Sequence, residues 1–439
     1  MSITRKIAIA SLVCLTVSAM AAAAETAVDL SQARASDPVA LGWMAGSPPA
    51  ADKLVRYEDG SYFRFPQTRW SFSHWRELRP TIAVSHGRAP VSALTSAPRP
   101  DLDAVTFVPI GGTVPMTWAD SLVANYTDGI VVLHRGKIVY ERYFGALSDD
   151  RPHIAFSVTK SFFGILAAML INEGVLDRSE KVAHYVPELA GSGYGDATIG
   201  QVLDMTASVD FVETYGGSPM MDAYGYAMGA ELRPFAGSGP RSLYGFLPKI
   251  PKQGTHGNQF RYRTPNVDVI GWVIARVTGK SPAVVLSERL WGRIGAEGDA
   301  YLQVDEAGAP LAGFSLNVRL RDLARFGELM RLNGRFNGAQ IVPAAVVEDI
   351  RHGGDRNLFQ AAGYTTLPGW SYHNFWWLSH DDHGVYMARG IHGQAIYIDP
   401  AAQMVIAQFE SNPNALLGKI DPTTLPAYRA VADHLMAHP

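Results

Sequence analysis

Residues Phe156 to Glu173 form the stretch that most limits what this chain can become. Phe162, Ile165, Leu166, Met169 and Leu170 make it apolar around most of a helical circumference, and Gly174 stops it. A helix with no polar face belongs in an interior. The chain must therefore wrap other elements around it. With 439 residues and 47% hydrophobic content, it has enough core to do so, as one large domain or two intimately packed ones. Strand signals lie towards the two ends. Ile130–Leu133 and Ile138–Tyr140, joined by Arg135-Gly136, read as a hairpin within Gly129–Tyr143. Gln394–Ile398 and Met404–Phe409, across Asp399-Pro400, read as a second one. Further helices are predicted over Ile199–Met205, Val267–Val277 and Leu320–Leu332. A C-terminal helix carries Tyr428, Val431 and Leu435 on one face, with Pro426 near its start, where proline is tolerated. Strands from both ends with helices between them predict an α/β (α+β) fold. Its antiparallel sheet is flanked by terminal helices and interrupted by an inserted helical region.

The N-terminus reads differently. Arg5 and Lys6 precede an apolar run, Ile7–Ala24, which exits through an Ala-x-Ala pattern before Glu25. This is the pattern of a secretory signal peptide over residues 1–24. The run is short and weakly apolar for a membrane-spanning helix. The only cysteine, Cys14, lies inside it behind Val13, where a lipid-attachment site would want Gly, Ala or Ser. The expectation is a periplasmic or secreted protein with no stable membrane anchor. No cysteine would remain for a disulfide, a nucleophile or a thiolate metal site. Residues Ala35–Met116, rich in Pro, Gly and aromatics, read as an arm laid over a folded body. Within the arm, Arg69–Leu78 is predicted as one short helix docked through Trp70 and Trp75. The expected division is an extension over 25–115 and a main domain over 116–439, with the sheet from about 116–155 and 370–439 and the helical region about 156–369. A net charge of −3 without a basic stripe speaks against a nucleic-acid partner.

Three segments carry residues fit for chemistry. Ser157-Val158-Thr159-Lys160 opens the apolar helix. Positions i and i+3 share a helical face, so the hydroxyl and the amine can meet. A serine alcohol needs a base to become a nucleophile, and burial can lower a lysine's pKa enough to provide one. The helix N-terminus also directs N–H groups at developing negative charge. The competing reading is a capping serine with a lysine extending outward. The second segment, Phe260–Asn266, holds Tyr262-Arg263-Thr264. A phenol beside a lysine can have its pKa lowered and relay a proton; otherwise Tyr262 is an ordinary loop tyrosine. The third, Ala388-Arg389-Gly390-Ile391-His392-Gly393-Gln394, enters the second hairpin. Its two glycines permit close approach of a ligand, and a strand N–H there can join that of Ser157 as an oxyanion hole. The alternative is a glycine bulge at a sheet edge.

In this order and spacing, the three segments resemble the serine β-lactamase-related hydrolases. That family includes class C β-lactamases, D-alanyl carboxypeptidases and family VIII esterases. The nearest likeness is to the 6-aminohexanoate-dimer hydrolase branch, carried by Arg69–Leu78, Phe260–Trp272 and Gly390–Gln394 and covering most of the chain after about Thr68. The resemblance implies a β-lactamase/penicillin-binding-protein-like fold, with Ser157 as nucleophile, Lys160 as its partner and Tyr262 as catalytic tyrosine. It further implies backbone N–H groups of Ser157 and Ile391 as the oxyanion hole. Thr264, where many members have Asn or Ser, is expected to support the lysine and to border the substrate. Tyr215 matches a substrate-covering loop tyrosine, or is a packed loop tyrosine. Which of Lys160 and Tyr262 takes the serine's proton stays open.

The sequence departs from the family in one place. β-Lactamases and carboxypeptidases have Lys-Thr-Gly or His-Thr-Gly where this chain has Ala388-Arg389-Gly390. Arg389 has a different fork geometry, so small esters or linear amides are expected as substrates in preference to β-lactams. Two other readings remain: a D-alanyl carboxypeptidase or weak β-lactamase, and a penicillin-binding sensor that acylates without turning over. No cofactor or metal is implied. His380-Asp381-Asp382-His383 reads as a solvated turn, because four adjacent residues seldom point at one centre. Asn125-Tyr126-Thr127 fits a glycosylation sequon.

Overall fold

The computed structural model describes residues 30–214, 218–229 and 239–439. The leader, Cys14 and Tyr215 lie outside the described residues. Eight strands form the main sheet: β1 (Thr95–Ser96), β2 (Thr127–His134), β3 (Lys137–Tyr143), β4 (Ser371–His373), β5 (Trp376–Leu378), β6 (Tyr386–Gly390), β7 (Gln394–Asp399) and β8 (Met404–Glu410). Their order across the sheet is β4-β5-β6-β7-β8-β2-β3-β1. All pairings are antiparallel except the two-residue β1, which runs parallel to β3. The β2–β3 turn places Arg135 at φ 52° and Gly136 at φ 77°. A two-residue turn with both φ values positive matches the right-handed strand twist, and glycine takes the second position without strain.

Helices α1 (Trp118–Ala124), α2 (Val158–Asn172), α4 (Leu320–Arg331) and α5 (Asp421–Ala437) frame the sheet, and α3 (Pro265–Thr278) packs against α2. Neighbouring residues of β7 show the two faces. Tyr397 packs on Tyr428 of α5, whose ring also meets Trp118 of α1. Ile396 turns the other way, and with Val405 it closes on Gly327 of α4 so tightly that a Cβ there would lie 2.5–3.0 Å from them. Helix α2 lies beneath α4, with Phe162 stacked on Phe326 at 3.7 Å. Thirteen of its 15 residues are buried, as its all-round apolarity requires. Each large apolar side chain so buried contributes on the order of 1.5–3 kcal/mol.

The predicted helices and hairpins are present, with three differences. Helix α5 begins at Asp421, which leaves Pro426 inside it. The missing N–H would have bonded the Pro422 carbonyl, and that carbonyl accepts instead from the Ile110 N–H at 3.0 Å. Arg69–Leu78 is two short helices, Thr68–Ser71 and Trp75–Leu78, with Trp70 stacked on His74 across the break. A second antiparallel sheet, Thr81–Val84, Ala300–Gln303, Leu316–Val318 and His153–Ile154, is not predicted; two of its strands, Ala300–Gln303 and Leu316–Val318, lie in the region read as helical. Strands of two to four residues are too short to show a period of two. The arm is woven in, since Thr81–Val84 is a strand of the second sheet and β1 a strand of the main one. Asn125 is buried and accepts a hydrogen bond from Thr423, so the sequon faces inward.

Candidate active site

The approach to α2 is strained. Phe156 holds φ 42°, a left-handed conformation that costs a bulky side chain about 1–3 kcal/mol. Thr159 secures the bend: its hydroxyl donates to the Phe156 carbonyl at 2.6 Å and accepts from the Leu316 N–H at 3.0 Å. Ser157 follows at the helix N-cap, yet its side chain makes no capping hydrogen bond. The Lys160 ammonium donates to its Oγ at 3.0 Å. The capping reading therefore fails, and so does the outward lysine, because Lys160 is 1% exposed.

Lys160 has three acceptors: Ser157 Oγ, Thr264 Oγ1 at 3.0 Å and the Gly313 carbonyl. Gly313 must be glycine, since a Cβ would lie 2.4 Å from Thr264 Cγ2. Burial of the ammonium brings its pKa down to about 8, against the opposing pull of Glu213 and Asp268. Asp268 is itself buried in α3, and desolvation pushes its carboxyl up. Its oxygens accept from the Gly313 N–H and the Tyr224 hydroxyl. The Gly313 backbone, through its N–H and its carbonyl, thus links aspartate and lysine without an ion-pair contact.

Tyr262 sits at the cleft beside Ser157, with its ring centroid 5.2 Å from Lys160 Nζ. The expected lowering of its pKa is overturned. Burial, first, and the Glu213 charge push it well above the ordinary phenol value, outweighing the opposite influence of Ser157. Thr264 also needs correction as a substrate-bordering residue. It is 5% exposed and absent from the cleft wall, and its hydroxyl donates to Glu213 Oε1 at 2.8 Å while accepting from Lys160. The support of the lysine is direct.

Ile391 follows the end of β6 in a one-turn 3-10 segment, Ile391–Gly393, so it is a turn residue and not a strand residue. The two glycines admit protein atoms, not ligand. A Cβ on Gly390 would lie 2.7 Å from the Ala155 carbonyl and 3.0 Å from the Ser157 nitrogen, and one on Gly393 would overlap Glu410. Gly390 thereby brings the start of the turn against the Ser157 amide. Ser157 and Ile391 both line one cleft of about 770 Å³, with Tyr262, Trp377, Tyr364 and Phe211 on its walls. Arg389, which replaces part of the family's Lys-Thr-Gly pattern, is buried in an ion pair with Asp421 under the Trp377 ring. Asp421 also accepts from the Thr366 hydroxyl.

The sequence reading missed Glu213, Asp268, the Gly313 carbonyl and Asp421. Glu213 lies in the segment singled out for Tyr215, and Asp268 is an acid in an apolar helix; each was a visible signal. Among the described residues, no group of three or more His, Cys, Asp or Glu is arranged to hold a metal ion. The 380–383 turn splays as expected, with His380 on Ser371, Asp382 on Arg429 and His383 on Asp399. His383, however, is buried and not solvated.

The beta-lactamase family profile matches residues 119–413. A 6-aminohexanoate-dimer hydrolase of Paenarthrobacter ureafaciens is 34% identical over 355 residues, which are 81% of this chain and 88% of that one. The solved structure of a Bacillus anthracis protein, provisionally assigned as a 6-aminohexanoate-dimer hydrolase, superposes with TM-score 0.79 at 31% identity, covering 89% of this chain and 99% of that one. A family VIII carboxylesterase, at 16% identity and TM-score 0.53 over 78% of this chain and all of its own, shares the fold alone.

Proposed function

The chain belongs to the β-lactamase family of hydrolases, and within it we propose an exported enzyme that cleaves small esters or linear amides through a covalent acyl-enzyme on Ser157. The observation that carries this reading is the Lys160 ammonium, fully buried, 3.0 Å from Ser157 Oγ, with its pKa brought down to about 8. Neutral Lys160 takes the hydroxyl proton as Oγ attacks the substrate carbonyl, and the N–H groups of Ser157 and Ile391 receive the oxyanion. Tyr262, whose raised pKa keeps its phenol protonated, serves as a proton carrier and not as the base. It passes its proton to the departing amine or alkoxide as it takes up the proton that Lys160 removed from Ser157, so that Lys160 ends neutral. Water then attacks the acyl-enzyme under the same base and frees Ser157.

Two observations bear on the substrate. Arg389 is committed to Asp421 and is not free to hold a substrate carboxylate as the family's Lys-Thr-Gly lysine does; this favours open-chain substrates. The 6-aminohexanoate-dimer hydrolase among the relatives is named for a linear amide. Export rests on the residues 1–24 pattern. The test is hydrolysis of short-chain p-nitrophenyl esters, 6-aminohexanoate dimer and nitrocefin by the mature protein and by Ser157→Ala. Ester or amide turnover that disappears in the variant supports the reading. Turnover that survives in the variant refutes the nucleophile, and nitrocefin as the best substrate refutes the open-chain preference.

A further inference from the structure

Two residues in the site break the same backbone rule. Phe156 immediately precedes Ser157 and His392 immediately follows Ile391, and both hold left-handed φ values, 42° and 62°. Neither is a glycine. Each adjoins one of the two residues whose N–H groups would hold the oxyanion. Their rings meet one another at 5.5 Å.

What surrounds both rings comes from the arm. Phe72 lies edge-on to Phe156 at 4.9 Å and to His392 at 5.2 Å. Phe63 meets the same two rings at 6.2 and 5.7 Å. Trp75 closes on Phe156 at 6.2 Å. The Phe72 carbonyl accepts from the Ile154 N–H at 2.9 Å, two residues before the bend. On the far side, the His392 ring is fixed by its Nδ1 hydrogen bond to the Asn412 carbonyl at 2.6 Å. Its Nε2 is buried in the aromatic cluster with no partner among the described residues. A nitrogen left in that condition serves no local bonding need, so shape is what the site extracts from this side chain. Left-handed residues persist only where the surroundings over-determine them.

We propose that the aromatic cluster of the arm, centred on Phe63 and Phe72, is a positioning device for the oxyanion hole. It locks Phe156 and His392 in their left-handed conformations, so that the N–H groups of Ser157 and Ile391 converge on one point. The arm thereby takes part in catalysis without touching substrate. Phe63 and Phe72 are positioning residues, and the proposal rests on the acyl-enzyme reading above.

Phe63→Ala is the first variant because Phe63 is 43% exposed and its removal leaves the core intact; Phe72→Leu is the second and Phe63→Tyr the conservative control. The measurements are kcat and KM on p-nitrophenyl butyrate, affinity for an alkyl boronic acid that mimics the tetrahedral intermediate, and the melting temperature. A lost oxyanion donor lowers kcat by about 10²–10³, so a donor shifted out of line is expected to lower it about tenfold. KM should stay within about twofold, boronate affinity should fall with kcat, and Phe63→Tyr should restore both. Ser157→Ala is run beside them. If Phe63→Ala and Phe72→Leu keep kcat and boronate affinity within about twofold while Ser157→Ala is dead, the positioning role is refuted and the nucleophile stands. If Ser157→Ala retains turnover, the reading beneath the proposal is itself refuted. Should Phe72→Leu fail to fold, Phe63→Ala decides alone.

Discussion

Glu213→Gln tests the electrostatics of the site most directly. The Glu213 carboxylate accepts from both the Thr264 hydroxyl and the Thr264 N–H, and that hydroxyl accepts from Lys160. Two hydrogen bonds, of 3.0 and 2.8 Å, therefore separate the charges. That chain puts them roughly 5 Å apart, where attraction at an effective dielectric of about 20 is about 3 kcal/mol. Glu213 also lines the open cleft and is only half-buried. Solvent screening then leaves about 1 kcal/mol, close to one pKa unit. The sign follows from which form works. Lys160 acts as a base when neutral, so activity rises as pH passes upward through its pKa of about 8. Glu213 favours the charged form; removing its charge lowers that pKa and moves the acidic limb of kcat/KM about one unit towards lower pH. The assay is kcat/KM for a p-nitrophenyl ester between pH 5.5 and 9.5, in wild type and variant, with melting curves as a check on folding. A limb that stays put, or moves upward in a folded variant, refutes the coupling of Glu213 to Lys160.

Other perturbations have distinct expected outcomes. Lys160→Ala should lower kcat at least about 10³-fold, since it removes the base and leaves the Thr264 hydroxyl and the Gly313 carbonyl without their shared donor; ester turnover with burst analysis checks it, and near-normal acylation would transfer the base role elsewhere. Arg389→Met should destabilise the fold by about 3–5 kcal/mol, because it strands buried Asp421 without its partner; urea unfolding checks it, and a change below about 1 kcal/mol would contradict the burial argument. Glu410 is buried behind the Ile391–Gly393 turn with its pKa pushed well up by desolvation and by Asp128. A carboxyl whose folded pKa is raised contributes stability below its unfolded pKa, and that stability is lost as pH rises towards the folded value. Glu410→Gln should therefore flatten the fall in melting temperature from pH 5 to 9; an unchanged slope would count against it.

The parts of the fold that could be read in the sequence were those with long periodic signals. Helix α2 is apolar around most of its circumference because it is enclosed, and Arg135-Gly136 marks the β2–β3 turn because few pairs accept two positive φ values. The second sheet was not readable, because two- to four-residue strands leave no alternation to count. Within the site, Ser157 and Lys160 stood out because helix geometry links them at i and i+3. Glu213, Gly313 and Asp268 reach Lys160 only through contacts distant in sequence. The tyrosine's pKa went the other way from expectation for a related reason: proximity to Lys160 was legible, while the desolvation of the phenol and the charge of Glu213 were products of packing.

The central pairing of the main sheet has a consequence for how the molecule is made. Strand β2 joins β8, Thr127–His134 against Met404–Glu410. The sheet therefore cannot close until nearly the whole chain is available. Loop-closure entropy is met in full before that pairing returns anything. A chain stopped short of Met404 can form helices and the first hairpin, but β2 then lacks its β8 neighbour and α4 lacks the Val405 side of its seat. A chain of this design closes its main sheet late, once β8 has been made.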